Sequence, residues 1–132
     1  HPAVYHVKMA DFLKEYLGQG FMEKQMEQIY RNQYTQLLLK QLEQKVNLHT
    51  CVCLMENLMV QRDFFLAEKI LKIMDQNWHR GEEYWIWKIR YLAERKMGKE
   101  LKQSLQALKE EHIYLSSRGK EALGFWLDGS KK

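Results

Sequence analysis

The chain of 132 residues is poor in the residues that interrupt or crosslink small proteins. It has one proline, Pro2, and two cysteines, Cys51 and Cys53, whose spacing of two predicts no disulfide framework. Valine, isoleucine and threonine are few and scattered, and no segment sustains period-two alternation, so we predict no β-strand. No apolar run approaches the ~18 residues of a membrane-spanning helix, so we predict no membrane association.

What is present indicates a folded domain. Hydrophobic residues make up 45% of the chain and charged residues 29%, which is typical of a globular protein. The net charge of +4 permits an acidic partner without requiring one. Because the sequence begins with His1 and Pro2 rather than with methionine, and shows no signal peptide, we expect a domain cut from a longer protein. The unpaired cysteines favour an intracellular location, cytoplasmic or nuclear.

Apolar residues recur at helical spacing along nearly the whole chain, which predicts an all-α fold of six or seven helices. Asn47 and Asp63 are predicted N-caps, Gly81 a left-handed residue after the fourth helix, and Gly98 the break between the fifth and sixth. Short loops favour stacked antiparallel hairpins in a single domain, residues 1–127, followed by a flexible tail, 128–132. The predicted helices cover residues 3–17, 21–46, 48–60, 64–78, 82–97, 99–111 and 116–127.

The segment QRDFFLAEKILKIMD, residues 61–75, resembles the central turn of a tetratricopeptide repeat. The positions that carry this resemblance are the turn acid, the aromatic residue, the small residue of the second helix and a large apolar residue one turn later: Asp63, Phe64, Ala67 and Leu71. A second copy about 37 residues later places Leu101, Ser104 and Leu108 at equivalent positions. The resemblance covers residues 48–111 and implies a TPR-like α-solenoid fragment. It also implies a surface that binds peptides or helices of partner proteins and has no catalytic residues.

The reactive side chains suggest no enzyme and no cofactor. His49 and Cys53 share a helical face, but two ligands are half of a zinc site, and Cys51 points elsewhere. No nucleophile, base and orienting group occur together in the local sequence, and Gly18 and Gly20 lack the lysine of a phosphate-binding loop. We therefore predict neither a metal site nor catalysis.

The segment EEYWIWKIRYLAERK, residues 82–96, is apolar on two sides of its predicted helix. One interpretation is that the helix is sandwiched and both faces are core. The other is that its second aromatic face lines a binding groove, since Trp, Tyr and Arg dominate interface energies. Aromatic rings interleaved with basic residues also suit stacking on single-stranded nucleic acid. The residues of the candidate groove are Tyr84, Trp87, Lys88, Arg90, Tyr91 and Arg95.

A second candidate surface lies near the C-terminus, in the segment EALGFWL. Phe125 and Trp126 either help to cap the last hairpin or are exposed and bind another chain. Together these patterns predict a non-enzymatic scaffold domain that binds a partner peptide or helix within a multi-subunit assembly. The alternative is a nucleic-acid-binding helical domain that uses the basic and aromatic helix. The sequence does not indicate an oligomeric state.

Overall fold

The computed structural model describes residues 2–19 and 23–129. That part of the chain contains seven α-helices and no strand, which confirms the all-α prediction, and several neighbouring helices pack against each other. No helix among the described residues is long and apolar enough to cross a membrane. The helices are α1 (Pro2–Gly18), α2 (Lys24–Gln44), α3 (Leu48–Gln61), α4 (Phe64–Trp78), α5 (Glu82–Glu94), α6 (Gly98–Glu110) and α7 (Ser117–Gly129).

Both predicted N-caps are confirmed. The Asn47 side chain accepts a hydrogen bond from the Thr50 amide at 3.2 Å, and the Asp63 carboxylate accepts one from the Leu66 amide at 3.1 Å. Each contact satisfies an amide that has no partner inside its own helix. The predicted start of the second helix at residue 21 and residues 130–132 of the predicted tail lie outside the described residues.

The predicted roles of the glycines at helix ends are wrong. Gly81 has a φ of −91° in extended backbone and is the N-cap of α5, while Gly98 is the first residue of α6. The left-handed positions are instead taken by Arg62, Lys96 and His112, with φ between 54° and 58°. Helix ends are therefore set by closure of backbone hydrogen bonds, and non-glycine residues adopt the left-handed conformation where those bonds require it.

The chain forms two compact units, and the first is His1–Ile70. In it α1 packs on α2 and α2 packs on α3. Ala67, the small residue in the tetratricopeptide-like turn, is fully buried. The other buried apolar side chains include Ala10, Leu13, Leu38, Leu42, Leu54, Met55 and Leu58.

A polar network joins α2 to α3. Asn57 is buried, and its amide nitrogen donates to the Thr35 hydroxyl at 2.7 Å, while its amide oxygen accepts from the Arg31 guanidinium at 2.8 Å. Gln61 extends the network by accepting from the Thr35 hydroxyl at 3.2 Å. Because each of these buried groups has a partner, the network fixes how α3 lies along α2 without leaving an unsatisfied side chain.

The second unit is Leu71–Lys132, and within it α5 packs against both α6 and α7. The Ser116 hydroxyl donates to the Glu82 carboxylate at 2.7 Å, and the Gly119 amide donates to the Ser116 hydroxyl at 3.2 Å. A Cβ atom at Gly119 would collide with that carboxylate, so a larger residue there would displace the Glu82 side chain from its contact with Ser116.

Candidate interaction surfaces

The aromatic rings of α5 lie inside the protein. The exposed fractions are 4% for Tyr84, 7% for Trp87 and 6% for Tyr91, and Trp85 on the other face is also buried. Burial raises the pKa of Tyr84 to about 12, and the nearby carboxylates of Asp75 and Glu111 add to the shift. This placement favours the interpretation in which both faces of the helix are core, because buried rings present no open face to a peptide or a base.

The basic side chains of α5 lie against these rings. Lys88 Nζ is 5.5 Å from the centre of the Tyr84 ring. The Arg90 guanidinium carbon is 5.1 Å from the centre of the Trp87 ring. Arg95 donates to the Tyr91 hydroxyl at 3.3 Å. These distances are those of cation–π and hydrogen-bonded contacts, so the cations cover aromatic surface as well as presenting charge to solvent.

Positive charge is concentrated in the second unit. Residues 1–70 contain eight Lys and Arg and eight Asp and Glu, whereas residues 71–132 contain thirteen and nine, so the whole net charge of +4 belongs to the second unit. We name residues 88–102 the basic segment, because this stretch contains six lysines and arginines and only two carboxylates. The exposed members at its end are Arg95, Lys96, Lys99 and Lys102.

The His79 ring lies between two carboxylates, an arrangement that we did not predict from the sequence. Its Nδ1 lies 2.5 Å from Asp75 Oδ1 and its Nε2 lies 2.5 Å from Glu111 Oε1. The hydrogen bonds to Glu111 and then to Asp75 raise the pKa of His79, against a small opposing effect of burial. The i,i+4 spacing of Asp75 and His79 was the available signal. Since both ring nitrogens are occupied, we interpret the group as a structural tie between the ends of α4 and α6.

Phe125 and Trp126 occupy different environments on α7. Phe125 is 82% exposed, Trp126 is half-buried, and their ring centres are 5.8 Å apart in an edge-to-face arrangement. Leu123 on the same helix is fully buried, so α7 covers the core with one side and presents Phe125 to solvent with another. A single exposed ring is normal on a protein surface and does not by itself indicate a binding site.

An open, partly apolar groove lies in the first unit, between α1 and α2, where no site was predicted. Its volume is about 470 Å³. Leu13 is buried at its floor, Met9 and Leu37 are half-buried, and Tyr5 is 59% exposed at the rim. The remaining lining residues are Asn32, Gln33, Gln36 and Lys40, so three side-chain amides and one cation complete the groove.

Exposed apolar side chains continue beyond this groove along both helices. Tyr5, Met9, Phe12 and Tyr16 follow one another at intervals of four, three and four residues on α1, and Phe12 is 58% exposed. On α2 the same spacing joins Met26, Tyr30, Gln33 and Leu37, of which Gln33 is polar, and the apolar Ile29 beside them is half exposed to solvent. We name this surface the α1–α2 groove. Large contiguous exposed apolar surfaces on soluble proteins mark interaction sites.

The remaining candidate, the pair of His49 and Cys53, forms a local contact. His49 Nε2 lies 3.6 Å from Cys53 Sγ, as their shared helical face predicts, and Lys14 Nζ lies 3.6 Å from the same sulfur. Cys51 is fully buried elsewhere, and burial raises its pKa to about 11. Among the described residues, no three metal-ligating side chains converge on one point.

Comparisons with models of protein families, with curated proteins and with solved structures found no match to this chain.

Proposed function

We propose that this chain is a non-enzymatic interaction domain that binds a peptide or helix of a partner protein within a multi-subunit assembly. The observation that supports this most strongly is the α1–α2 groove, where large apolar side chains remain exposed on two adjacent helices. Burial of such side chains is the main source of affinity in helix-in-groove complexes. The resemblance of residues 48–111 to tetratricopeptide repeats, which bind peptides, agrees with an interaction domain, and we propose that it acts inside the cell.

The experiment is affinity capture from a cell lysate with the wild-type chain and two variants. Leu37→Glu places a charge inside the groove, and Val60→Glu places the same charge at an exposed apolar position on α3, outside the groove. We expect a protein captured by the wild type and by Val60→Glu to be lost with Leu37→Glu. A partner retained equally by all three proteins would contradict the placement of the binding surface in this groove.

A second candidate function is nucleic-acid binding, which the concentration of charge in the basic segment favours. The buried rings of α5 disfavour base stacking, so this binding would depend on phosphate contacts alone. Affinity would then fall steeply with salt, and Lys99→Glu together with Lys102→Glu would abolish it. Treating the lysate with nuclease before capture separates the two functions, because only complexes bridged by nucleic acid are lost.

A further inference from the structure

The two helices that form the α1–α2 groove each present apolar side chains in a pattern suited to a third helix. The four-three-four spacing on α1 places Tyr5, Met9 and Phe12 on one stripe, and α2 presents a parallel stripe that ends with Leu37. This is the heptad spacing with which helices interlock side chains in bundles. An extended strand would gain little here, because helices offer no free backbone groups to pair with it.

The length of the stripe also points to a helix rather than to a small molecule. Along α1 the cavity is lined only from Tyr5 to Leu13, but the exposed side chains continue to Tyr16, which is 38% exposed. Eleven residues of helix extend over about 16 Å, or three turns. A small molecule would fill the cavity and leave Phe12 and Tyr16 uncovered, whereas a helix of three turns would cover the whole stripe.

The charges around the groove define the chemistry of that helix. Lys40 is the only charged residue in the lining, and no described carboxylate forms an ion pair with it. Gln41 of α2 donates a hydrogen bond to the His6 carbonyl of α1, so Lys40 lies at the end of the groove that contains Tyr5, and a basic partner would be repelled there.

We propose that the α1–α2 groove binds an amphipathic helix of a partner protein, with apolar residues at four-three-four spacing and an acidic residue beside them that meets Lys40. The inference rests on the proposed function and adds the shape and charge of the partner. The three amides of the groove, on Asn32, Gln33 and Gln36, supply hydrogen bonds to the polar edge of such a helix.

The test uses two synthetic peptides with the same leucine stripe at four-three-four spacing. One carries glutamates at the flanking positions and the other carries lysines. Binding of each labelled peptide to the 132-residue chain is measured by fluorescence anisotropy. We expect saturable one-to-one binding of the glutamate peptide, about tenfold tighter than binding of the lysine peptide, which corresponds to one charge contact of interface strength.

Variants of the groove should change these affinities in a defined way. Tyr5→Glu alters only an exposed rim residue, so it should weaken both peptides by about tenfold or more without affecting folding. Leu37→Glu should weaken them as strongly, with its fold checked by circular dichroism because Leu37 is half-buried. Lys40→Glu should reverse the preference between the peptides. Lys69→Glu, at an exposed position on α4, is the matched control and should change neither affinity more than about twofold.

Three results would overturn the inference. The first is binding that neither Tyr5→Glu nor Leu37→Glu weakens, and the second is equal affinity for the two peptides. The third is a wild-type dimer in analytical ultracentrifugation that Tyr5→Glu converts to a monomer, which would make a second copy of the chain the occupant. If lysate capture still depends on Leu37 while the peptides show no charge preference, the proposed function stands and only this inference fails.

Discussion

At the scale of single residues, the pair of carboxylates around His79 makes stability depend on pH. Because Glu111 and Asp75 raise its pKa in the folded state, folding is favoured by proton binding. The stabilisation is complete below the unfolded pKa of about 6.5, where the unfolded imidazole is also protonated, and is lost as pH rises through the higher folded value.

We therefore predict that His79→Gln lowers the free energy of unfolding more at pH 6 than at pH 9. Denaturant titrations of wild type and variant at both values measure the difference. Glu111→Gln, which removes the largest cause of the shift, should greatly reduce this pH dependence. A loss of stability from His79→Gln that is the same at pH 6 and pH 9 would show that the histidine contributes only by packing.

At the scale of the elements, three helices end with the same backbone arrangement although none of them has glycine at the left-handed position. The amides of Asp63, Met97 and Ile113 each donate to a carbonyl five residues earlier, at 3.0 to 3.2 Å. These bonds close the C-terminal turns of α3, α5 and α6 and place the next helix at a fixed direction. The left-handed residues before them, such as Lys96, retain the steric cost of a Cβ atom.

Lys96→Gly should stabilise the protein by about 0.5–1 kcal/mol. Glycine removes the steric cost of the Cβ atom, and this gain exceeds the loss caused by the greater entropy of the unfolded chain. Lys96 is exposed, so no packing is lost. Thermal unfolding should show a higher melting temperature for Lys96→Gly than for wild type. Lys96→Ala removes the same charge and keeps the Cβ atom, and it should show no such increase; an equal gain from both variants would indicate a charge effect instead.

The helices also show which features of the fold can be predicted from the sequence. Helical spacing and the side chains of Asn47 and Asp63 predict where helices lie and begin, since those signals depend on local chemistry alone. The glycine rule failed at Gly81 because the left-handed residue is chosen by the geometry of the turn. The sequence did not predict which side of α1 packs on α2. Tyr5, Met9 and Phe12 lie next to Leu13 on one broad apolar face, and hydrophobicity alone does not separate the exposed residues from the buried one. The same ambiguity made the buried rings of α5 a candidate groove.

At the scale of the whole molecule, the α1–α2 groove and the excess of positive charge belong to different units of the chain. The α1–α2 groove belongs to the first unit, which has no net charge, and the basic segment belongs to the second, which carries +4. An apolar groove supplies affinity, whereas a basic surface mainly accelerates encounter with acidic partners and weakens with salt. We therefore propose that the first unit supplies specific binding and the second a salt-dependent contribution.

The most direct test of partner binding in the α1–α2 groove is photo-crosslinking in intact cells. A photoreactive phenylalanine analogue replaces Tyr5 or Phe12 in the groove, or, as controls, Phe65 and Tyr114, which are 74% and 79% exposed elsewhere. We predict one discrete crosslinked protein from Tyr5 and Phe12 and none from the controls. Mass spectrometry should place the crosslink in a helical segment with an apolar stripe. Crosslinks that form only from Phe65 or Tyr114, with none from either groove position, would contradict the account.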